Sequence, residues 1–98
     1  MENVSVKTML RVLHKYGLNS SIMGRLLDLP TSKEYKNYIF RGKVPPKEIS
    51  AKILRIEVEP NYLLYLLKTH KNVLSSDEYI LLRENIDKVV GYKESDYA

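Results

Sequence analysis

The stretch Leu29-Pro-Thr-Ser-Lys-Glu-Tyr-Lys-Asn-Tyr-Ile-Phe-Arg-Gly-Lys-Val-Pro-Pro46 reads as one short helix with a marked start and a marked stop. Pro30 cannot continue a preceding helix, because its ring blocks the turn before it and it has no N–H to donate. Thr31 and Glu34 have the T-x-x-E spacing of a capping box, in which each side chain satisfies the other residue's free amide. Gly42 stands where a helix ends in a left-handed residue, and Pro45-Pro46 keep that helix from resuming. Between these marks Tyr35, Tyr38 and Ile39 lie three and four apart and share one face, while Lys33, Lys36 and Asn37 share another. An apolar side facing inward and a basic, amide-bearing side facing outward are expected.

Working outward, Val6, Met9, Leu10, Leu13 and Tyr16 form the apolar face of a first helix, about residues 5–16, stopped by Gly17. Asn19, Ser20 and Ser21 offer caps for a second helix of about residues 20–28, whose apolar positions are Ile22, Met23, Leu26 and Leu27. Gly24 within it costs about 1 kcal/mol relative to Ala, which implies close approach by the third helix. Pro46 and Glu48 suit the start of a fourth helix reaching about Ile56, with Ile49, Ile53, Leu54 and Ile56 buried. Glu59-Pro60 begins a fifth, with Tyr62, Leu63, Leu66 and Leu67 apolar. Ser75 and Glu78 form a second capping box, opening a sixth helix of about 76–90 closed by Gly91, with 92–98 a frayed polar tail. No strand alternation occurs, so the fold class is all-α.

The chain has 98 residues, enough for a single core, and no cysteine. Disulfides and thiolate metal sites are therefore excluded. No apolar run reaches bilayer length and no signal-peptide stretch is present, so a cytoplasmic protein without membrane contact is expected. His14 and His70 are far apart, no glycine-rich phosphate loop occurs, and Asp77-Glu78 serves a helix start. Neither an enzyme nor a cofactor or metal is expected. Residues 1–56 carry eleven Lys or Arg against four Asp or Glu, a balance of +7, and residues 57–98 carry five against eight, a balance of −3. A basic front and an acidic back steer one face toward polyanions.

The order of these pieces resembles the lambda-repressor-like (Cro/XRE-type) helix-turn-helix domain. Phe40-Arg41-Gly42-Lys43-Val44-Pro45-Pro46 is similar to that family's glycine turn and proline after the reading helix. Ile53-Leu54-Arg55-Ile56 is similar to the end of its fourth helix, and Glu57–Leu67 to its fifth. The resemblance covers roughly residues 5–68. The opening Ser20, where the family has Gln, and the longer turn Asp28-Leu29-Pro30-Thr31 depart from it. It implies a compact five-helix bundle over residues 1–72 and an added C-terminal helix over 73–98.

The resemblance also implies a repressor-type regulator binding double-stranded DNA. Thr31, Ser32, Lys33, Lys36 and Asn37 would lie at the start and along the outer face of the reading helix. Lys can donate to guanine and Asn can bond adenine through two contacts in the major groove. Ser20, Ser21, Arg41 and Lys43 would hold phosphates. Repressors of this type pair on two half-sites, and Tyr79, Leu82, Ile86 and Val89, a heptad-like stripe, would form the homodimer seam with Leu63 and Leu67. The same stripe could instead pack on the chain's own core. A function of another class also fits: a small phage-type adaptor that binds and inhibits or modulates a protein partner, since eight tyrosines suit a protein interface.

Overall fold

The computed structural model describes residues 3–97, with the side chains of residues 3–90. Six helices follow one another: α1 (Val6–Tyr16), α2 (Ser20–Leu26), α3 (Glu34–Phe40), α4 (Lys47–Val58), α5 (Pro60–Thr69) and α6 (Ser76–Tyr97). A 3-10 turn at Lys71–Val73 joins the last two. No strand occurs among the described residues, and the all-α class stands as expected.

Local chemistry explains most of the boundaries. The Ser5 hydroxyl accepts the Thr8 amide at 3.1 Å and starts α1. Gly17 ends it at φ +64°, which lets the Leu18 amide donate back to the Leu13 carbonyl at 2.8 Å. Asn19 caps α2 by accepting the Ile22 amide at 2.8 Å. The second capping box forms as expected: the Ser75 amide donates to Glu78 Oε1 at 2.9 Å and the Glu78 amide to Ser75 Oγ at 3.1 Å.

The first box does not form. Lys33, in a helical conformation, precedes α3, and no side chain caps that end. Ser32 and Lys33 turn before the helix begins, so Thr31 stands one turn too early to cap it, and the Glu34 side chain finds other partners. The second helix also stops sooner than expected, at Leu26, and Asp28 takes a left-handed φ of 57°. Gly91, expected as a stop, lies inside α6, and only Gly17 and Gly42 take positive φ among the described glycines. Within a helix a glycine lowers propensity without ending the run.

One core joins all six helices. It includes Met9, Val12 and Tyr16 of α1, Met23 and Leu26 of α2, and Tyr35 and Tyr38 of α3. Ile53 and Ile56 come from α4, Leu63 and Leu67 from α5, and Leu82 and Ile86 from α6. The centre of the α1 face is shifted from the expected one. Val12 is fully buried, Leu10 and Leu13 are half-buried, and Val6 is exposed. Helices α3, α4 and α6 all lie against α1, and so cover more than a single stripe. Gly24 does admit a close neighbour, but it is the backbone of the turn before α3: a Cβ there would stand 3.4 Å from Ser32 Cα and from the Thr31 carbonyl.

Of the two burials open to the stripe Tyr79, Leu82, Ile86 and Val89, the structure shows the one within the chain. Leu82 and Ile86 are buried within the chain, Tyr79 and Val89 pack against the same cluster, and Leu63 and Leu67 are fully covered. An apolar stripe can be buried only once, and here α6 packs against α5 and α1. Two polar contacts fix it there. Arg25 donates to both carboxylate oxygens of Glu78, at 2.9 and 2.7 Å, and to the Val73 carbonyl at 2.9 Å. Asn85 Nδ2 donates to the Tyr16 carbonyl at 3.0 Å, over Gly17. The Cα radius of gyration of 13.4 Å is near the ~13 Å of a compact domain of this length.

Ile86→Ala should lower stability by about 2–4 kcal/mol, read from urea unfolding, because it empties a fully covered site. A chain ending at Asn72 should lose cooperative unfolding altogether. Acid should weaken the α2–α6 clasp. The Arg25 hydrogen bonds, with the Ser75 amide behind them, hold the Glu78 carboxyl down to about 2, against an ordinary 4.5. A carboxyl depressed by folding stabilises fully above its unfolded value and loses that contribution as pH falls toward the folded one. Glu78→Gln should therefore cost on the order of 1–2 kcal/mol at pH 7. It should also flatten the stability loss between pH 4.5 and about 2, measured by urea midpoints across that window.

Candidate nucleic-acid interface

Helix α3 is held by its inner side. Tyr35 and Tyr38 are buried, with ring centroids 6.4 Å apart in an edge-to-face pair. The Tyr35 hydroxyl donates to the Met9 carbonyl at 3.0 Å, so the buried phenol is satisfied and tied to α1. Burial pushes both phenols up in pKa, and for Tyr38 the Glu34 charge adds to the shift. With these rings inward, Lys33 and Lys36 are exposed and Asn37 is half-exposed.

The loop after α3 continues the basic surface. The Arg41 and Lys43 amides both donate to the Asn37 carbonyl, at 3.0 and 3.2 Å. Gly42 between them takes φ +68°, the left-handed conformation expected from the sequence. Both flanking side chains consequently lie at the surface.

Thr31, Ser32, Lys33, Lys36, Arg41 and Lys43 are all exposed. Ser21 is exposed too, with its hydroxyl accepting from Arg25 at 3.5 Å. Ser20 is buried, because Asn19 takes the capping position and turns Ser20 into the helix, so its hydroxyl is withdrawn from any phosphate.

Asn37 and Lys43 are brought together by a residue that the sequence pattern assigned to capping. Glu34 Oε2 accepts from Lys43 Nζ at 2.8 Å, and Oε1 accepts from Asn37 Nδ2 at 3.2 Å. Its side chain is only 12% exposed. The Lys43 hydrogen bond, then that of Asn37, lowers the Glu34 pKa, and the same contact raises that of Lys43. Both groups stay charged near neutrality. Lys33, Lys36 and Arg41 form no ion pair among the described residues.

Sequence reasoning also missed two apolar residues on this surface. Phe40 is 74% exposed at the end of α3 and Val44 is 61% exposed in the loop. Periodicity could have marked Phe40, five residues after Tyr35 and off the Tyr35–Tyr38–Ile39 side. The groove beside the loop, lined by Val6, Met9, Tyr38, Lys43, Val44 and Pro45, encloses about 130 Å³, smaller than the ~300 Å³ at which small-molecule sites begin.

Among the described residues no three His, Cys, Asp or Glu side chains are grouped to hold a metal ion, and no helix is long and apolar enough to cross a membrane. No family model matches this chain, no curated protein matches it, and no solved structure matches it. What the surface can do follows from its own chemistry.

The loop conformation is testable apart from any ligand. Beyond Gly42 and its two chain neighbours, no atom of the described residues lies within 4 Å of the place a Cβ would take there, so the left-handed backbone is what opposes substitution. Gly42→Ala should cost about 1–2 kcal/mol in thermal or urea unfolding. Gly42→Asn should cost less, since Asn tolerates that conformation better.

Proposed function

We propose that the chain is a sequence-specific DNA-binding regulator of the repressor type, presenting α3 to the major groove. One observation carries this reading: a short helix anchored by two buried tyrosines turns outward, beside a basic loop, two lysines that form no ion pair among the described residues. The groove of B-DNA admits a helix, and exposed Lys33 and Lys36 can donate to guanine O6 and N7 while Asn37 meets adenine. Arg41, with Ser21 and the start of α2, contacts phosphates and sets the register. Thr31 and Ser32, in the turn before α3, reach the backbone or the first base. Such a partner implies action in the cytoplasm. Two copies would occupy half-sites one helical turn apart, about 34 Å. With Leu82 and Ile86 inside the chain, pairing on α6 falls to the exposed Ile80 and Leu81.

A second reading is favoured by Phe40 and Val44. Apolar side chains this exposed on either side of Arg41 suit an interface with another protein, where aromatic residues and Arg are enriched. An adaptor would use the same surface for a protein partner.

Selection of a preferred duplex from random sequences, followed by binding measurements across salt, separates the two. Asn37→Ala should cost about 1–3 kcal/mol on the selected site and relax one base position. Arg41→Ala should weaken all sequences alike and flatten the slope of log K against log salt by about 0.9. Unchanged binding in the combined Lys33→Ala, Lys36→Ala and Asn37→Ala chain would remove α3 as the reader. No binding to any duplex at low salt would leave the adaptor reading.

A further inference from the structure

We infer that Glu34 sets the selectivity of the α3 surface, orienting Asn37 toward adenine and withholding Lys43 from phosphate. This rests on the DNA-binding reading. The observation is a carboxylate, 12% exposed, inside a basic surface and shared by two side chains expected to touch DNA.

Asn37 carries two N–H donors and one carbonyl oxygen on its side chain. Donating one N–H to Glu34 Oε1, at 3.2 Å, leaves one donor and one acceptor free. Adenine presents the complement, an N7 acceptor beside an N6 donor, whereas guanine presents two acceptors, N7 and O6. An anchored carboxamide therefore satisfies adenine fully and guanine only in part. Released from Glu34, it has both donors available and can turn over to serve either base.

Lys43 is held differently. Its ammonium lies 2.8 Å from Glu34 Oε2, a charge-assisted contact that a phosphate must displace or share. Exchanging one anion for another releases little counterion free energy, so Lys43 adds little to sequence-independent attraction. The carboxylate also repels the phosphate backbone. Glu34 thus reduces binding to any duplex while sharpening the choice among duplexes. Glu34 is a positioning residue for Asn37 and a brake on Lys43.

Two variants divide these roles. Glu34→Gln keeps an oxygen that can accept from Asn37 but removes the charge. Glu34→Ala removes both. On the full-length chain, with folding checked by circular dichroism, binding to random duplex DNA is measured across salt. Glu34→Gln should bind random duplex more tightly at low salt, with log K falling more steeply against log salt by about 0.9. It should keep its preference for adenine at the Asn37 position. Glu34→Ala should show the same steeper slope and lose about tenfold of its adenine-over-guanine preference. An unchanged slope in both variants, or an unchanged preference in Glu34→Ala, overturns the inference while leaving the DNA reading intact. If neither the parent chain nor the variants bind any duplex, the DNA reading fails and the inference fails with it.

Discussion

A seven-residue helix has too few internal hydrogen bonds to hold its own shape in water, where helices shorter than about 12 residues are marginal. Helix α3 exists because Tyr35 and Tyr38 are driven into the core against α1 and α2. The Tyr35 hydroxyl bound to the Met9 carbonyl adds direction to that burial. A phenol left without a partner there would oppose the fold, so the bond selects one seating of the helix. Everything on the outer surface inherits that seating. Lys33 and Lys36 are exposed because the tyrosines are not, and the Asn37 carbonyl is fixed where the Arg41 and Lys43 amides can converge on it.

The far side of the molecule completes the same core. Helix α6 contributes Leu82 and Ile86, and without them α1 and α5 would expose apolar surface. Burial alone permits a helix to slide or rotate. The Arg25 fork on Glu78 and the Asn85 bond over Gly17 remove that freedom, one near each end of the buried stripe. Gly17 serves twice in this scheme. It ends α1 in a left-handed turn, and its missing Cβ leaves room for Asn85 Nδ2, which would otherwise lie 2.6 Å away. Packing of α6 on α5 and α1 is thus specified by polar groups that periodicity does not reveal.

Legibility in the sequence followed the range of the interactions. Features made within four or five residues were readable: the Gly17 and Gly42 stops, the Ser75–Glu78 box, and the inward Tyr35 and Tyr38. The Thr31–Glu34 pair had the same spacing as Ser75–Glu78 and formed no box, because Gly24 admits the Thr31-Ser32 backbone and an extra turn intervenes. That choice is made by packing across α2, outside the motif. The Glu34–Lys43 contact spans nine residues and depends on how the Gly42 loop folds back. The stripe Tyr79, Leu82, Ile86 and Val89 was legible as apolar, but whether it met this chain or a second one was not, since both burials use the same pattern. Val12 entered the core because three helices cover α1, which no single-helix count could supply.

Ion pairs neutralise part of the charge of the basic half. Arg11 pairs with Glu57, Arg25 with Glu78, Lys43 with Glu34 and Arg55 with Glu59. The more exposed of these, Arg11–Glu57 and Arg55–Glu59, add little to stability, typically 0–1 kcal/mol. Their larger consequence is electrostatic, since a paired cation contributes little field beyond a Debye length of about 8 Å. Arg11 and Arg25 are neutralised by acids from the second half of the chain, so that half's negative balance is spent partly on the body of the fold. Among the described residues Lys33, Lys36 and Arg41, on α3 and its adjoining turns, form no ion pair, and neither do Lys7, Lys15, Lys47 and Lys52 of the basic half. Glu34 sets a carboxylate within the α3 surface, and the tyrosine anchoring that seats α3 also holds that carboxylate there.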